Sequence, residues 1–486
     1  MNDITSLNPA SLWKYFDEIT KIPRPSKKEE LIREYLIHFG KNHNLETLTD
    51  EIGNVLIRKP ASKGMENRKM VVLQSHMDMV CEKNTDTVFD FLKDPIQTRI
   101  DGDWVKAKGT TLGADDGIGI AASLAILADN SLTHGPLEAL FTMDEETGLT
   151  GAFGLSEDFL KSKILLNLDS EDEGELFIGC AGGRDTVVEM PLEKSAPKAG
   201  YYAYKISVGG LNGGHSGDDI NKGLANANKL IARILKSIWN ETDANLISID
   251  CGNLRNAIAR EGMAVVMIPN DFQEKLAELA EKWNQVLRNE YHKTEQGLFV
   301  KIEKVDQEVA EIINPKQSLN LINSMLACPH GVLAMSQDIA NFVETSTNLA
   351  SVKTKDDHFL ITTSQRSSVE SALDAACEMV AAVFALTDSQ IQHTDGYPGW
   401  APNPNSEIVS ITAQTYRDLF QVEPKVLAIH AGLECGLIGK KYPGLDMISF
   451  GPTIKGAHSP DERLSIKSAG MFWELLVEVL KRIPQE

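Results

Sequence analysis

Short, continuous apolar runs alternate with helix-period segments through the first third of the chain. Trp13, Phe16 and Ile19 recur at helical spacing and stop before Pro23 and Pro25. Ser26 with Glu29 then reads as a capping box for a second helix ending at Gly40. Apolar strands are expected over 55–57, 71–75, 137–143 and 164–168, with a Gly/Ala-rich helix over 117–128. Strands that are apolar along their whole length bury both faces, so this part predicts an α/β sheet covered by helices.

The pattern changes after residue 189. A stretch carrying lysine and proline over 192–200 reads as a connector into a strand over 202–208. Helices are expected over 224–239, 272–288 and 369–386, with strands over 263–268, 298–305, 348–353 and 359–363. The Gly- and Pro-dense run 396–402 marks a second boundary. Beyond it the earlier style returns: a helix from Ser406, strands over 426–429 and 445–450, and a helix over 466–483. The expected division is therefore 1–189, an inserted domain over 190–397, and 398–486. A chain of 486 residues exceeds one ordinary core, and its length fits roughly two to three domains.

Composition narrows the function classes. The chain is 42% hydrophobic and 24% charged, as soluble globular proteins are. Lys and Arg total 48 against 69 Asp and Glu, a formal charge of −21, which repels nucleic acid and anionic membrane and suits cations. The six cysteines, Cys81, Cys180, Cys251, Cys328, Cys377 and Cys435, are scattered without a CxxC pair, so a reducing, cytoplasmic setting is expected. No segment reads as a signal peptide, and none reaches the ~18 apolar residues of a membrane span.

The chemistry gathers where strands end. The run 70–75 delivers His76 and Asp78, two apart and so on one face of an extended chain. A histidine whose second nitrogen is held by a carboxylate is the usual metal-ligating form. The strand over 137–143 runs into Asp144, Glu145 and Glu146, and the strand over 164–168 runs into Asp169. Alone, an Asp-Glu-Glu run is ordinary solvated surface. After a buried strand, adjacent carboxylates can divide the work, one holding a metal and the other acting as general base. The Gly-rich turn 109–117 carries Asp115 and Asp116 and lacks the GxxxxGK[ST] of a phosphate cradle; Asp116 also reads as an N-cap. His458 follows the strand over 445–450 on a loop. Two nitrogens and three carboxylates from His76, Asp115, Glu146, Asp169 and His458 suit two divalent ions sharing one carboxylate, with zinc favoured and manganese or cobalt able to substitute.

These residues, with the phrases 54–60, 64–69, 180–183, 213–217 and 430–436, resemble the di-zinc metallopeptidase superfamily that includes carnosinases, aminoacylases and carboxypeptidase G. The resemblance is closest to its aminoacyl-histidine (Xaa-His) dipeptidase branch and extends over nearly the whole chain. It implies an α/β catalytic domain of di-zinc exopeptidase type, its mixed sheet covered by helices, interrupted by an inserted α+β lid domain. It implies that Asp115 bridges two metals, with His76 and Asp169 on one and Glu146 and His458 on the other. Asp78 would orient His76, and Glu145 would be the general base. Gly117 departs from the wider superfamily, in which a lysine often stands there. On the lid, His215 resembles the histidine that stabilises the oxyanion, in several relatives across a dimer interface. Asn256 and Arg366 resemble substrate contacts, and Glu434 would meet a free amine. The expected activity is hydrolysis of unblocked dipeptides, Xaa-His favoured, by a cytoplasmic homodimer that binds neither nucleic acid nor membrane. The rival readings are an amidohydrolase of the same scaffold acting on N-acyl amino acids and a non-catalytic metal-dependent binding protein.

Overall fold

The computed structural model describes residues 3–306 and 309–486. The chain divides into two compact units: one comprising the residues up to Cys180 with Trp400–Ala428 and Leu433–Glu486, the other Ala181–Gly399 with Ile429–Gly432.

The first unit is built on an eight-stranded sheet in the order Glu46–Thr49, Val55–Lys59, Leu137–Thr142, Val71–His76, Ile164–Asn167, Asp446–Ser449, Glu175–Cys180, Lys425–Ile429. Its four central strands, from Leu137–Thr142 to Asp446–Ser449, run parallel, and the flanking pairs on which register is defined are antiparallel. Val71–His76, Leu137–Thr142 and Ile164–Asn167 are buried at every position, as their unbroken apolar character predicts. Helix Ala114–Ala128 is buried almost throughout, because its Gly and Ala residues leave little side chain to hold neighbours apart. The parallel strands end on one edge, where ligands of α/β sheets gather.

The second unit is a nine-stranded antiparallel sheet. Its long central strands are Val343–Thr354, His358–Ser367 and Gly182–Pro191, with Tyr201–Gly209, Gly262–Pro269 and Asn245–Cys251 toward one side. Alternate residues such as Tyr204, Ile206 and Val208 share one core with Leu230, Ile234 and Leu235 of helix Ala227–Glu241 and with Leu321 and Met325 of helix Pro315–Ala327. That period-2 burial against helices is the mark of a one-sided sheet.

Three expectations need correction. Gly182–Pro191 pairs with His358–Ser367 along its whole length, so the chain enters the second unit before residue 189. The second helix is Glu30–Asn42, capped by no side chain, because Glu29 accepts from the amides of Lys27 and Asp144 and not from Ser26. The strand expected over 359–363 extends to Ser367, since the polar residues Ser364, Gln365, Arg366 and Ser367 are themselves buried.

Candidate metal centre

His76 is the last residue of its strand and 1% exposed. Its Nδ1 lies 3.3 Å from Asp78 Oδ1, while Nε2 faces Asp115 Oδ1 at 3.0 Å and Asp169 Oδ1 at 3.4 Å. Burial alone would strip a proton from this imidazole, but Asp169, Asp115 and Asp78 outweigh it and raise its pKa well above the usual value. Asp78 is fully buried, and burial alone would raise its pKa; His76, the amide of Glu145 and Ser26 hold it down at about 2. Asp78 also accepts from the amides of Glu145 at 3.0 Å and Glu146 at 3.2 Å, so one carboxylate faces the histidine and anchors the acidic turn.

Asp115 divides its two oxygens. Oδ1 faces His76, and Oδ2 faces His458 Nε2 at 3.1 Å; that same nitrogen lies 3.1 Å from Glu146 Oε2. Ligand atoms of His76, Asp115 and Asp169 fall within 4.8 Å of one another, and so do those of Asp115, Glu146 and His458. Hydrogen bonds from the imidazole to Asp115 and Glu146 raise the His458 pKa to about 11, so acids on both sides call for positive charge. His76 Nδ1 and Glu146 Oε1 are buried without a hydrogen-bond partner. Such a set of imidazoles and carboxylates fits two divalent cations that share Asp115. His458 has φ 61°, a left-handed conformation that non-glycine residues adopt when their surroundings impose it. Asp116 takes the capping role, its Oδ1 accepting from the amide of Gly119 at 3.1 Å.

Glu145 offers a carboxylate oxygen within 4.8 Å of His76 and Glu146. Burial, with Glu434, Glu146 and Asp115 adding to it against His76, raises its pKa well above the carboxylate range. Glu434, 1% exposed, opens helix Glu434–Lys441 and accepts from Gln74 Nε2 at 2.6 Å and Thr142 Oγ1 at 2.7 Å. Its Oε1 has no partner, and burial pushes its pKa up to about 7.

In the second unit His215 lies on a short strand paired with Ala257, and the amide of Ser216 donates to Asn256 O at 2.8 Å, which brings His215 and Asn256 onto neighbouring segments. The His215 ring accepts from the amides of Gly217 and Asp218 through Nδ1. Arg366, 7% exposed, donates from Nη1 to Tyr397 Oη at 2.9 Å, while its Nε is buried without a partner. Tyr397 lies in the run read from sequence only as a boundary; its contact with Arg366 has no local signature.

The family model described as Peptidase family M20/M25/M40 matches residues 72–482. The chain is 46% identical over 484 residues, all of both chains, to the cytosol non-specific dipeptidase of Escherichia coli (strain K12). It is similar to the crystal structure of an aminoacylhistidine dipeptidase from Vibrio alginolyticus, at 45% identity and a TM-score of 0.94 over 99% of this chain and 98% of that one. It shares its fold with the aminopeptidase PepT from Bacillus cereus ATCC 10987, at 16% identity and a TM-score of 0.58 over 98% and 99% of the two chains. Among the described residues no helix is long and apolar enough to cross a membrane. With two histidines and four acids clustered as metal ligands would be, and a family match running over residues 72–482, the chain belongs to the peptidase family M20/M25/M40 and is a metallopeptidase.

Proposed function

We propose that this protein is a dipeptidase that hydrolyses unblocked dipeptides, with Xaa-His substrates of the carnosine type favoured, and that it works as a cytoplasmic homodimer holding two zinc ions per chain. The observation that carries the reading is the division of the Asp115 oxygens between two separate pairs of ligands, with Glu145 beside them. The similarity to the Escherichia coli and Vibrio alginolyticus dipeptidases supports the substrate class.

His76 and Asp169 would hold one ion, Glu146 and His458 the other, and Asp115 both. When bound, divalent ions there supply Lewis acidity toward the peptide carbonyl and toward water. Asp78 faces Nδ1 of His76 at 3.3 Å, which would favour the hydrogen on that nitrogen and leave Nε2 as the ligand atom. Glu145 accepts the proton of the attacking water and returns it to the departing nitrogen, a transfer helped by the burial that raises its proton affinity. The unpartnered Oε1 of Glu434 suits the substrate amine, the planar fork of Arg366 suits a carboxylate, and His215 and Asn256 suit the carbonyl oxygen as it gains charge.

A hydrolysis panel on zinc-loaded protein tests the reading. Free dipeptides, β-alanyl-histidine among them, are expected to turn over far faster than tripeptides, C-terminal amides or N-acetylated dipeptides. Preference for the N-acyl amino acids would move the protein to the amidohydrolases of the same scaffold.

A further inference from the structure

Two buried charged side chains outside the ligand set close on the turn that presents Asp115. Glu462 is 2% exposed, and its carboxylate accepts from three consecutive amides: Leu112 at 2.7 Å and Gly113 at 3.0 Å on Oε2, and Ala114 at 2.7 Å on Oε1. Arg24, also 2% exposed, donates from Nη2 to Gly113 O at 2.5 Å, and from Nη1 to Met77 O at 3.0 Å and Asp78 O at 2.5 Å. Gly113 is thus held through its amide by an acid and through its carbonyl by a base. Its φ of 70° is left-handed, and an added Cβ would meet Arg24 Nη2 at 2.7 Å and Met79 Sδ at 2.8 Å. Only glycine fits that position without displacing the guanidinium.

The two grips tie different parts of the site together. Glu462 lies four residues beyond His458 on the same loop, so its carboxylate fastens the His458 segment to the Asp115 turn. Arg24 spans the Asp115 turn and the carbonyls that follow His76. A carboxylate receiving three backbone amides and a guanidinium donating to three carbonyls are fully desolvated arrangements whose geometry is fixed by charge-assisted bonds.

We infer that Glu462 and Arg24 are positioning residues of the metal centre, Glu462 setting Asp115 against His458 and Arg24 setting Asp115 against His76. This rests on the reading of Asp115, His76 and His458 as metal ligands. In Glu462→Gln one oxygen becomes an amide nitrogen that cannot accept, so at least one of the three amides loses its partner. In Arg24→Lys a single ammonium replaces the planar fork and cannot keep both ends of its span.

The test is a stepwise cobalt(II) titration of the metal-free full-length protein, followed by calorimetry and by the visible absorption of the bound ion. Asp169→Ala and His458→Ala assign each step to its ion. In Glu462→Gln the ion assigned to His458 is expected to bind on the order of 10- to 100-fold more weakly, with a changed absorption band, while the other ion, which meets the altered turn only through Asp115, loses less affinity. In Arg24→Lys, whose grip reaches the carbonyls that follow His76, the opposite pattern is expected: the ion assigned to His76 and Asp169 weakens more than the other. Wild-type affinities and spectra in both variants, or equal weakening of both ions in Glu462→Gln, overturn the inference. If Glu462→Gln does not fold, Arg24→Lys decides alone. The underlying ligand reading fails separately, if Asp115→Ala and His458→Ala still bind two cobalt ions as the wild type does.

Discussion

Replacing Glu145 with glutamine keeps the shape of the side chain and removes the proposed proton acceptor. We expect kcat to fall by at least ~10² with metal content unchanged, read by steady-state kinetics beside elemental analysis. A near-normal kcat places the base elsewhere, and Asp144 is next in line. As proposed ligands, His76 and Asp115 should act on binding instead: their alanine variants should retain less metal after dialysis, most severely for Asp115, the residue proposed to be shared. Arg366→Ala should raise KM for a free dipeptide by roughly thirtyfold and leave the C-terminal amide almost untouched, because a charge-assisted contact is worth ~2 kcal/mol when its partner is desolvated. His76, Glu146 and Asp169 were legible as one group because each sits at or just beyond the end of an apolar strand, whereas Asp115 on its Gly-rich turn and His458 on its loop had no such strand to place them. Glu462 and Arg24 were not legible. Their partners are backbone groups remote in sequence, 350 residues away for the Glu462 contact with Leu112, and a backbone amide leaves no trace in residue type.

Elements record the same difference between local and distant causes. The helix expected from residue 224 begins at Ala227 because Asn226 caps it, its side chain accepting from the amides of Asn228 at 2.9 Å and Lys229 at 3.4 Å while Nδ2 donates to Leu349 O at 2.8 Å. Asn226→Ala should cost about 1 kcal/mol in denaturant unfolding, since it removes the cap, while Leu349 O keeps Asn228 Nδ2 as a donor at 2.9 Å. Nearby, His330 Nδ1 accepts from the amide of Leu349 at 3.3 Å, and burial, with Lys229 second, lowers its pKa to about 4. The unfolded chain therefore binds one more proton between about pH 6.5 and pH 4. Stability contributed by His330 is complete above that window and declines as the pH falls through it, by up to about 1.4 kcal/mol per pH unit. Metal-free His330→Gln should show a flatter decline than the metal-free wild type in unfolding scans over this range. Equal slopes would mean that the imidazole is not held neutral. Apolar strands and amphipathic helices were legible from periodicity, because burial selects them directly. The end of His358–Ser367 was not, since polar residues become strand there only by pairing with Gly182–Pro191 and Val343–Thr354.

At the scale of the whole molecule, all five proposed ligands belong to one of the two compact units, although they are drawn from two of its three sequence segments. Ligand binding stabilises only what it requires to be folded, by about 2.7 kcal/mol per site at a hundredfold excess over Kd. The ligand sequence positions run from residue 76 to residue 458, so an ion at this centre closes a long loop of chain as well as neutralising mutually repelling carboxylates. Zinc should therefore slow hydrogen exchange in Val71–His76, Leu137–Thr142, Ile164–Asn167 and Asp446–Ser449. The strands of the second unit, such as Tyr201–Gly209 and Gly262–Pro269, have a core and pairing of their own and should exchange at the same rate with and without the metal. Peptide-level exchange measured by mass spectrometry on zinc-loaded and chelator-treated protein separates the two groups of strands. Protection gained equally by both would show that the chain unfolds as one cooperative body, and protection gained by neither would remove the metal centre from the first unit.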